Sequence, residues 1–251
     1  MTQSNQQKRQ QVALVTGAAR GLGKEAALRL AQAGYVVLVG VRDIEGSRAL
    51  LKQIQEEGNS AELLALDLDM PSSIIAAVKE IETRHGSLDV LVNNAAVMLD
   101  GGWVGNTTIT IDASALKRTF ETNFFGTVAL TQALWPLLLK AGHANVVNVS
   151  SRMGSNTFHA DPNGPLVGVK PFAYDASKAA LNALTTHLAE LGSPLGIQVN
   201  SAYPGWVRTE LGTEYADLSV EEGVATIVEL AMLPPNSRTG KFEHAGTEIP
   251  W

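Results

Sequence analysis

Short apolar runs alternate along this chain with segments in which apolar residues recur at the helical period. The first unit is an apolar run at 12–16, a glycine-rich turn at 17–23, and a helix-period stretch closed by Gly34. The same alternation predicts strands at 12–16, 35–41, 61–66, 88–92, 144–149, 196–200 and 240–243, and helices at 22–33, 44–57, 72–84, 112–139, 174–191 and 219–232. Several runs are rich in Val, Leu and Ile without polar alternation, as parallel strands covered on both faces require. The pattern predicts an α/β fold with one doubly wound parallel sheet of about seven strands, helices on both faces and right-handed crossovers. In such sheets ligands bind beyond the carboxyl ends of the strands. Gly17, Arg42, Asp67, Asn93, Ser151 and Pro204 all fall at those ends. No internal repeat or linker interrupts the pattern, so residues 11–251 read as one domain behind a disordered polar tail at 1–10. The irregular stretches are 98–111 and 152–173.

Two local patterns carry chemistry. Gly17, Gly21 and Gly23 stand between a strand and a helix, where missing Cβ atoms leave room for a pyrophosphate at the helix amino terminus. Tyr174 and Lys178 lie four residues apart, hence on one helical face about one turn apart. An ammonium so close is expected to pull the phenol pKa down from about 10 and make Tyr174 a general acid/base near neutral pH.

Composition narrows the partners. The chain has 251 residues, 45% hydrophobic and 18% charged, with a formal net charge of −6. That balance disfavours a nucleic-acid or anionic-membrane surface. The lack of cysteine removes disulfides, thiolate catalysis and cysteine-ligated zinc. The five histidines (85, 143, 159, 187 and 244) show no metal-ligand spacing, so no metal is expected. The first ten residues hold no apolar core of a secretory signal. No apolar run approaches the roughly 20 residues of a membrane span. A soluble cytoplasmic protein is the expectation.

The spacing Thr16-Gly17-x-x-x-Gly21-x-Gly23, with Tyr174-x-x-x-Lys178 downstream, resembles the short-chain dehydrogenase/reductase family. Further matches follow in order: Asn93-Asn94-Ala95-Ala96, Asn123 within Thr122-Asn123-Phe124-Phe125-Gly126, Asn148-Val149-Ser150-Ser151, and Pro204-Gly205-Trp206-Val207-Arg208-Thr209. The resemblance covers nearly the whole chain. It implies a Rossmann fold and an oxidoreductase moving a hydride between nicotinamide and a carbonyl or alcohol, with the carbonyl-reductase-like members nearest. Tyr174 would then be the acid/base. Lys178 would tune it and bond the nicotinamide ribose, Ser151 would hold the substrate oxygen, and Asn123 would order a water for a proton relay. The family pattern also assigns cofactor contacts to Gly17, Arg20, Gly21, Leu22, Gly23, Arg42, Asp67, Leu68, Asn94, Ala95, Tyr174, Lys178, Pro204, Gly205, Val207 and Thr209.

Arg20 and Arg42 decide the cofactor. Two guanidinium groups flanking one ribose suit a 2′-phosphate, which favours NADP (as NADPH) over NAD, although Asp43 offers ribose an alternative. Asp67 resembles the residue that bonds the adenine, while Asp69 is better placed to cap the next helix. Ala96 replaces a usual glycine. The stretch from Ser151 to Tyr174 is longer than in most members. Its extra residues, 156–165, are expected to form a lid or wall over the substrate site, and they put the family's usual tetramer in doubt against a homodimer or monomer. Trp103, Phe158, Trp206, Met98 and Met153 either line an apolar pocket or plug loops, and His159 either meets substrate or is solvated. The alternatives to a reductase are an NADP-sensing regulator without catalysis and an epimerising enzyme. Such regulators typically lose the tyrosine or lysine, and the epimerising enzymes need a carboxyl-terminal substrate domain that this chain lacks.

Overall fold

The computed structural model describes residues 9–104 and 108–251. Most of the expected polar tail, and residues 105–107 of the expected 98–111 loop, lie outside the described residues. In chain order the elements are β1 (Val12–Thr16), α1 (Gly21–Gln32), β2 (Val36–Val41), α2 (Arg48–Glu56), β3 (Ala61–Ala65), α3 (Pro71–His85) and β4 (Val90–Asn93). Then come α4 (Ala113–Phe120), a π-helical turn (Glu121–Phe125), α5 (Gly126–Lys140), β5 (Ala144–Val149), a 3₁₀ turn (Arg152–Gly154), α6 (Asn156–Ala160) and α7 (Phe172–Gly192). β6 (Ile197–Ala202), α8 (Val220–Gly223), α9 (Ala225–Ala231), β7 (Phe242–His244) and β8 (Thr247–Glu248) complete it. The sheet order is β3-β2-β1-β4-β5-β6-β7-β8.

Strand side chains alternate between two cores. Ala13 and Val15 of β1 pack in one apolar cluster with residues of α1 and α9. Val12 and Leu14 pack in the other, with residues of α3, α5 and α7. That is the period-two consequence of burying both faces. Strand order reverses between β1 and β4, which opens a crevice at their carboxyl ends.

Four elements differ from the sequence expectation, the first being α6, which stands within the stretch 152–173 expected to be irregular. An eighth strand pairs antiparallel with β7 through a hairpin at Ala245 and Gly246, whose φ values of 46° and 75° suit the right-handed strand twist. The expected continuous helix 112–139 is broken by the π turn centred on Asn123, the kind of helical bulge that clusters at functional sites. The expected 219–232 helix divides at Val224 into α8 and α9. Among the described residues, no helix is long and apolar enough to cross a membrane.

Candidate active site

The turn after β1 is stapled to the end of β4. Thr16 Oγ1 accepts the N–H groups of Asn94 and Ala95, both at 3.0 Å. The Asn94 side-chain amide donates back to the carbonyls of Thr16 (2.8 Å) and Gly17 (3.2 Å). This close approach needs glycine. Gly17 has φ +63°, and a Cβ there would stand 2.9 Å from Ala95 Cα. A Cβ on Gly23 would stand 2.4 Å from the Asn94 amide nitrogen. Across the opening, Thr209 lies against Gly21, its Cγ2 being 3.4 Å from where a Cβ would sit. Thr209 Oγ1 accepts the Gly212 N–H at 3.0 Å and so closes the turn that follows Pro204 and Gly205. In the same segment Val207 is buried. The first turn of α1, at Gly21, Leu22 and Gly23, leaves N–H groups with no carbonyl of its own helix to meet. The result is a backbone cradle that an anion fits and a side chain would fill.

Of the two expected phosphate-binding arginines, Arg42 is exposed at the end of β2. Arg20 instead forms an ion pair with Glu210 at 2.7 Å, with 76% and 70% of the two side chains exposed. Solvent-exposed pairs of this kind are typically worth under about 1 kcal/mol. Beyond β3, Asp67 Oδ1 accepts the Asp69 N–H, and Leu68 is buried. Asp69 does not cap α3 as expected. That helix begins with Met70 at its cap position and Pro71 inside, with no side-chain cap, and the Asp69 carboxylate accepts the Thr122 hydroxyl at 2.7 Å.

The catalytic candidates meet at the end of β5. Tyr174 is 5% exposed and Lys178 2% exposed, one turn apart on α7. Lys178 Nζ lies 5.5 Å from the Tyr174 ring centroid and donates to the Val149 carbonyl at 2.7 Å. Ser151 hydrogen-bonds the phenol, and its Oγ accepts the Met153 N–H at 3.2 Å. Asn123 is buried in the π turn. It takes the Val97 N–H and donates to the Val97 carbonyl, each at 2.8 Å, and donates to Ser177 Oγ at 3.0 Å. These bonds clamp Val97 to α7. None of them runs to Lys178.

The electrostatics overturn one expectation. Burial pushes the Tyr174 phenol above its ordinary range; the Ser151 hydrogen bond opposes this only in part, and the Asp175 and Tyr203 charges add to it. Burial pushes Lys178 down to about 7. The expected lowering of the phenol by a neighbouring ammonium is therefore outweighed by desolvation, which favours the neutral form of both groups. The cause is the apolar packing over the phenol. Met153, Leu166 and Tyr174 cluster with Met98, Trp103, Phe158, Val169 and Leu211, and the Trp103 ring meets the Tyr174 ring edge-on at 5.9 Å. Phe158, Leu166 and Val169 come from the long stretch before Tyr174, and of the three only Phe158 lies within 156–165. Trp206 stays outside the cluster and donates to the Gly212 carbonyl. His159 is not part of the cluster either; its ring meets the Met153 carbonyl, Lys170 and Asp175.

Several residues that matter here carry no motif. Asp100, 3% exposed, accepts the Ala173 N–H at 2.7 Å and the Tyr174 N–H at 3.2 Å, and so holds the first turn of α7. Below the site Asn93, Asn148, Thr185 and Ser201 form a buried polar ladder. Asn93 donates to Asn148 (2.8 Å), Asn148 donates to Thr185 (2.8 Å), and the two hydroxyls meet at 2.8 Å. An acidic residue in a loop and polar residues in strands give no one-dimensional signal for such links. Among the described residues, no group of three His, Asp or Glu side chains converges as a metal site would require.

Residues 11–219 match the model of the short chain dehydrogenase family. The chain is 35% identical to carbonyl reductase (NADPH) 3 of Rattus norvegicus, over 90% of this chain and 92% of the rat protein. It is 33% identical to carbonyl reductase (NADPH) 1 of Mus musculus, over 96% and 98%. The NADPH-bound carbonyl reductase from chicken fatty liver superposes with a TM-score of 0.84 at 27% identity, covering 97% of this chain and all of that one.

Proposed function

The chain belongs to the short-chain dehydrogenase family, and we propose that it is an NADPH-dependent reductase of apolar carbonyl compounds, with Tyr174 as proton donor. The observation that carries the reading is the pair of buried side chains, Tyr174 and Lys178, one turn apart on α7 beside Ser151. The similarity to carbonyl reductases of two mammals and a bird supports the same chemistry.

The residues present fit the nicotinamide dinucleotide. Gly17, Arg20, Gly21, Leu22 and Gly23 would hold the pyrophosphate on the amino terminus of α1. Arg42, exposed and free of an ion pair among the described residues, would grip the 2′-phosphate, and Arg20 would exchange its weak exposed pair with Glu210 for a second contact. Asp67 and Leu68 would border the adenine, Asn94 and Ala95 the ribose side of the cleft, and Pro204, Gly205, Val207 and Thr209 the nicotinamide. When bound, the cofactor supplies the hydride.

The chain's own groups do the rest. Burial keeps the Tyr174 hydroxyl protonated at neutral pH, which is the form an acid for carbonyl reduction needs. Ser151 Oγ donates to the substrate oxygen and stabilises the charge that grows there. Lys178, with a pKa of about 7, gains its proton easily and offsets the phenolate charge once Tyr174 has given up its own. Asn123 fixes the Val97 backbone and ties it to Ser177 of α7. The side chains packed with Tyr174 are apolar, so the substrate is an uncharged carbonyl with hydrophobic substituents.

The test is consumption of NADPH, followed by absorbance, across aryl aldehydes, aryl ketones, 1,2-diketones, quinones and keto acids. Turnover of the uncharged members, with keto acids at least about tenfold poorer in kcat/KM, is expected because an unpaired carboxylate in an apolar pocket is costly. Tight NADPH binding with no turnover of any member would replace the enzyme reading with that of a cofactor-sensing regulator.

A further inference from the structure

Next to Tyr174 lies a partly buried ionisable cluster that the chemistry above does not use. Asp175, the residue after Tyr174, is 7% exposed, and its Oδ1 has no hydrogen-bond partner. Its Oδ2 lies 3.3 Å from His159 Nε2. The same nitrogen is 2.8 Å from the Met153 carbonyl, while His159 Nδ1 is 2.7 Å from Lys170 Nζ. The lysine can only donate, so Nδ1 accepts, and Nε2 carries the hydrogen that points to Met153 and Asp175. His159, in α6, and Lys170, just before α7, both belong to the long stretch that precedes Tyr174. Leu166 and Val169 between them, and Phe158 just before His159, pack in the cluster that holds Tyr174. Asp100, which holds the N–H groups of Ala173 and Tyr174, adds a second carboxylate that acts on Asp175.

We propose that Lys170, His159 and Asp175 are positioning residues that clasp the 155–171 segment to the first turn of α7 and so hold the apolar wall against Tyr174. This rests on reading Tyr174 as the proton donor. The clasp works with neutral groups at its centre. Burial first, then the Asp100 charge, pushes the Asp175 carboxyl up to about 8. Burial first, then Lys170, holds the His159 imidazole below its ordinary range, while the Met153 carbonyl opposes the shift. The signs follow by linkage. Asp175 favours the docked wall at full strength below the ordinary carboxylate range, and that contribution is lost as pH rises through about 8. His159 favours docking above the ordinary imidazole range, and its contribution is lost as pH falls through its depressed value. Above the ordinary imidazole range only Asp175 still changes, so docking weakens as pH rises from neutral to about 8 and levels off beyond it.

Amide hydrogen exchange on the full chain tests this without needing turnover. In His159→Ala and Lys170→Met, peptides from 156–171 should exchange about tenfold faster at neutral pH, while β1 and β4 keep wild-type protection and report an intact fold. Wild-type protection factors in 156–171 should fall by up to roughly tenfold between pH 7 and pH 8 and level off above it, and Asp175→Asn should abolish that fall. In NADPH-coupled reduction of 1-phenylpropane-1,2-dione, the first two variants should raise KM about tenfold and change kcat by less than about threefold. Equal protection in all four proteins would overturn the clasp, as would a fall in kcat with KM unchanged. If wild type does not reduce the dione, the reductase reading is weakened instead, and exchange still decides the clasp. Should His159→Ala fail to fold, the half-exposed Lys170→Met carries the test.

Discussion

Replacing Gly23 by alanine sets two physical effects against each other. Gly23 is the third residue of α1, and inside a helix alanine is favoured over glycine by about 1 kcal/mol. Propensity alone therefore predicts a more stable protein. The packing predicts the reverse. The new Cβ would stand 2.4 Å from Asn94 Nδ2 and 2.5 Å from the Gly17 carbonyl oxygen. Relieving that overlap costs about 1–3 kcal/mol, as overpacking generally does. It also pushes the Asn94 amide off the Thr16 and Gly17 carbonyls, at about 1 kcal/mol per hydrogen bond lost. The net is a loss of about 2–4 kcal/mol, or a Tm fall of roughly 4–16 °C for a domain of this size. Because the displaced groups build the cradle, NADPH affinity should fall by about tenfold or more, the equivalent of 1.4 kcal/mol. Gly34→Ala is the control. It sits at φ +93° with nothing within 4 Å of the added methyl, so it should cost about 1–2 kcal/mol of backbone strain and leave NADPH binding alone. Urea denaturation and calorimetric titration read both quantities. A Gly23→Ala protein as stable as wild type, with unchanged NADPH affinity, would refute the described contact between the glycine turn and β4.

Two further predictions concern charge. Arg42→Ala should weaken NADPH about ten- to a hundredfold while changing NADH by less than about twofold, since only the former offers a 2′-phosphate to a charge-assisted pair. Equal effects on the two cofactors would remove Arg42 from that role. Lys178 has a folded pKa of about 7, below its unfolded value, so its ionisation penalty is present at and below neutral pH and fades as pH rises towards the ordinary lysine range. The stability of Lys178→Met relative to wild type, measured by denaturation, should accordingly drop as pH rises from 7 to 9, by at most about 1.4 kcal/mol per unit. A flat difference would show that Lys178 is not desolvated.

What could be read from the sequence was whatever is local in the chain. Val12–Thr16 and Ala144–Val149 declared themselves as strands because both faces are buried and most positions are apolar. Gly17 and Gly23, and Tyr174 and Lys178, stand at fixed short spacings that one turn and one helix enforce. Contacts between distant segments left no such trace. The π turn at Asn123 exists because that side chain grips Val97 across the site, which nothing in Thr122-Asn123-Phe124 signals. Asp100 holds α7 from 73 residues away in the chain. The upward shift of Tyr174 follows from which apolar side chains cover it, a property of packing that the Tyr-Lys spacing does not contain. The β7–β8 hairpin was hidden for a different reason, since alanine seldom takes the positive φ that Ala245 adopts.

The central claim is that Tyr174 gives its proton to a carbonyl in a site that binds NADPH. The most direct measurement compares wild type with Tyr174→Phe for NADPH affinity and for the rate of reduction of the best carbonyl found. The account predicts a rate at least about 10²-fold lower, with NADPH affinity nearly unchanged, because the variant removes one hydroxyl and keeps the ring against Trp103. A Tyr174→Phe protein that reduces the carbonyl at the wild-type rate would contradict it.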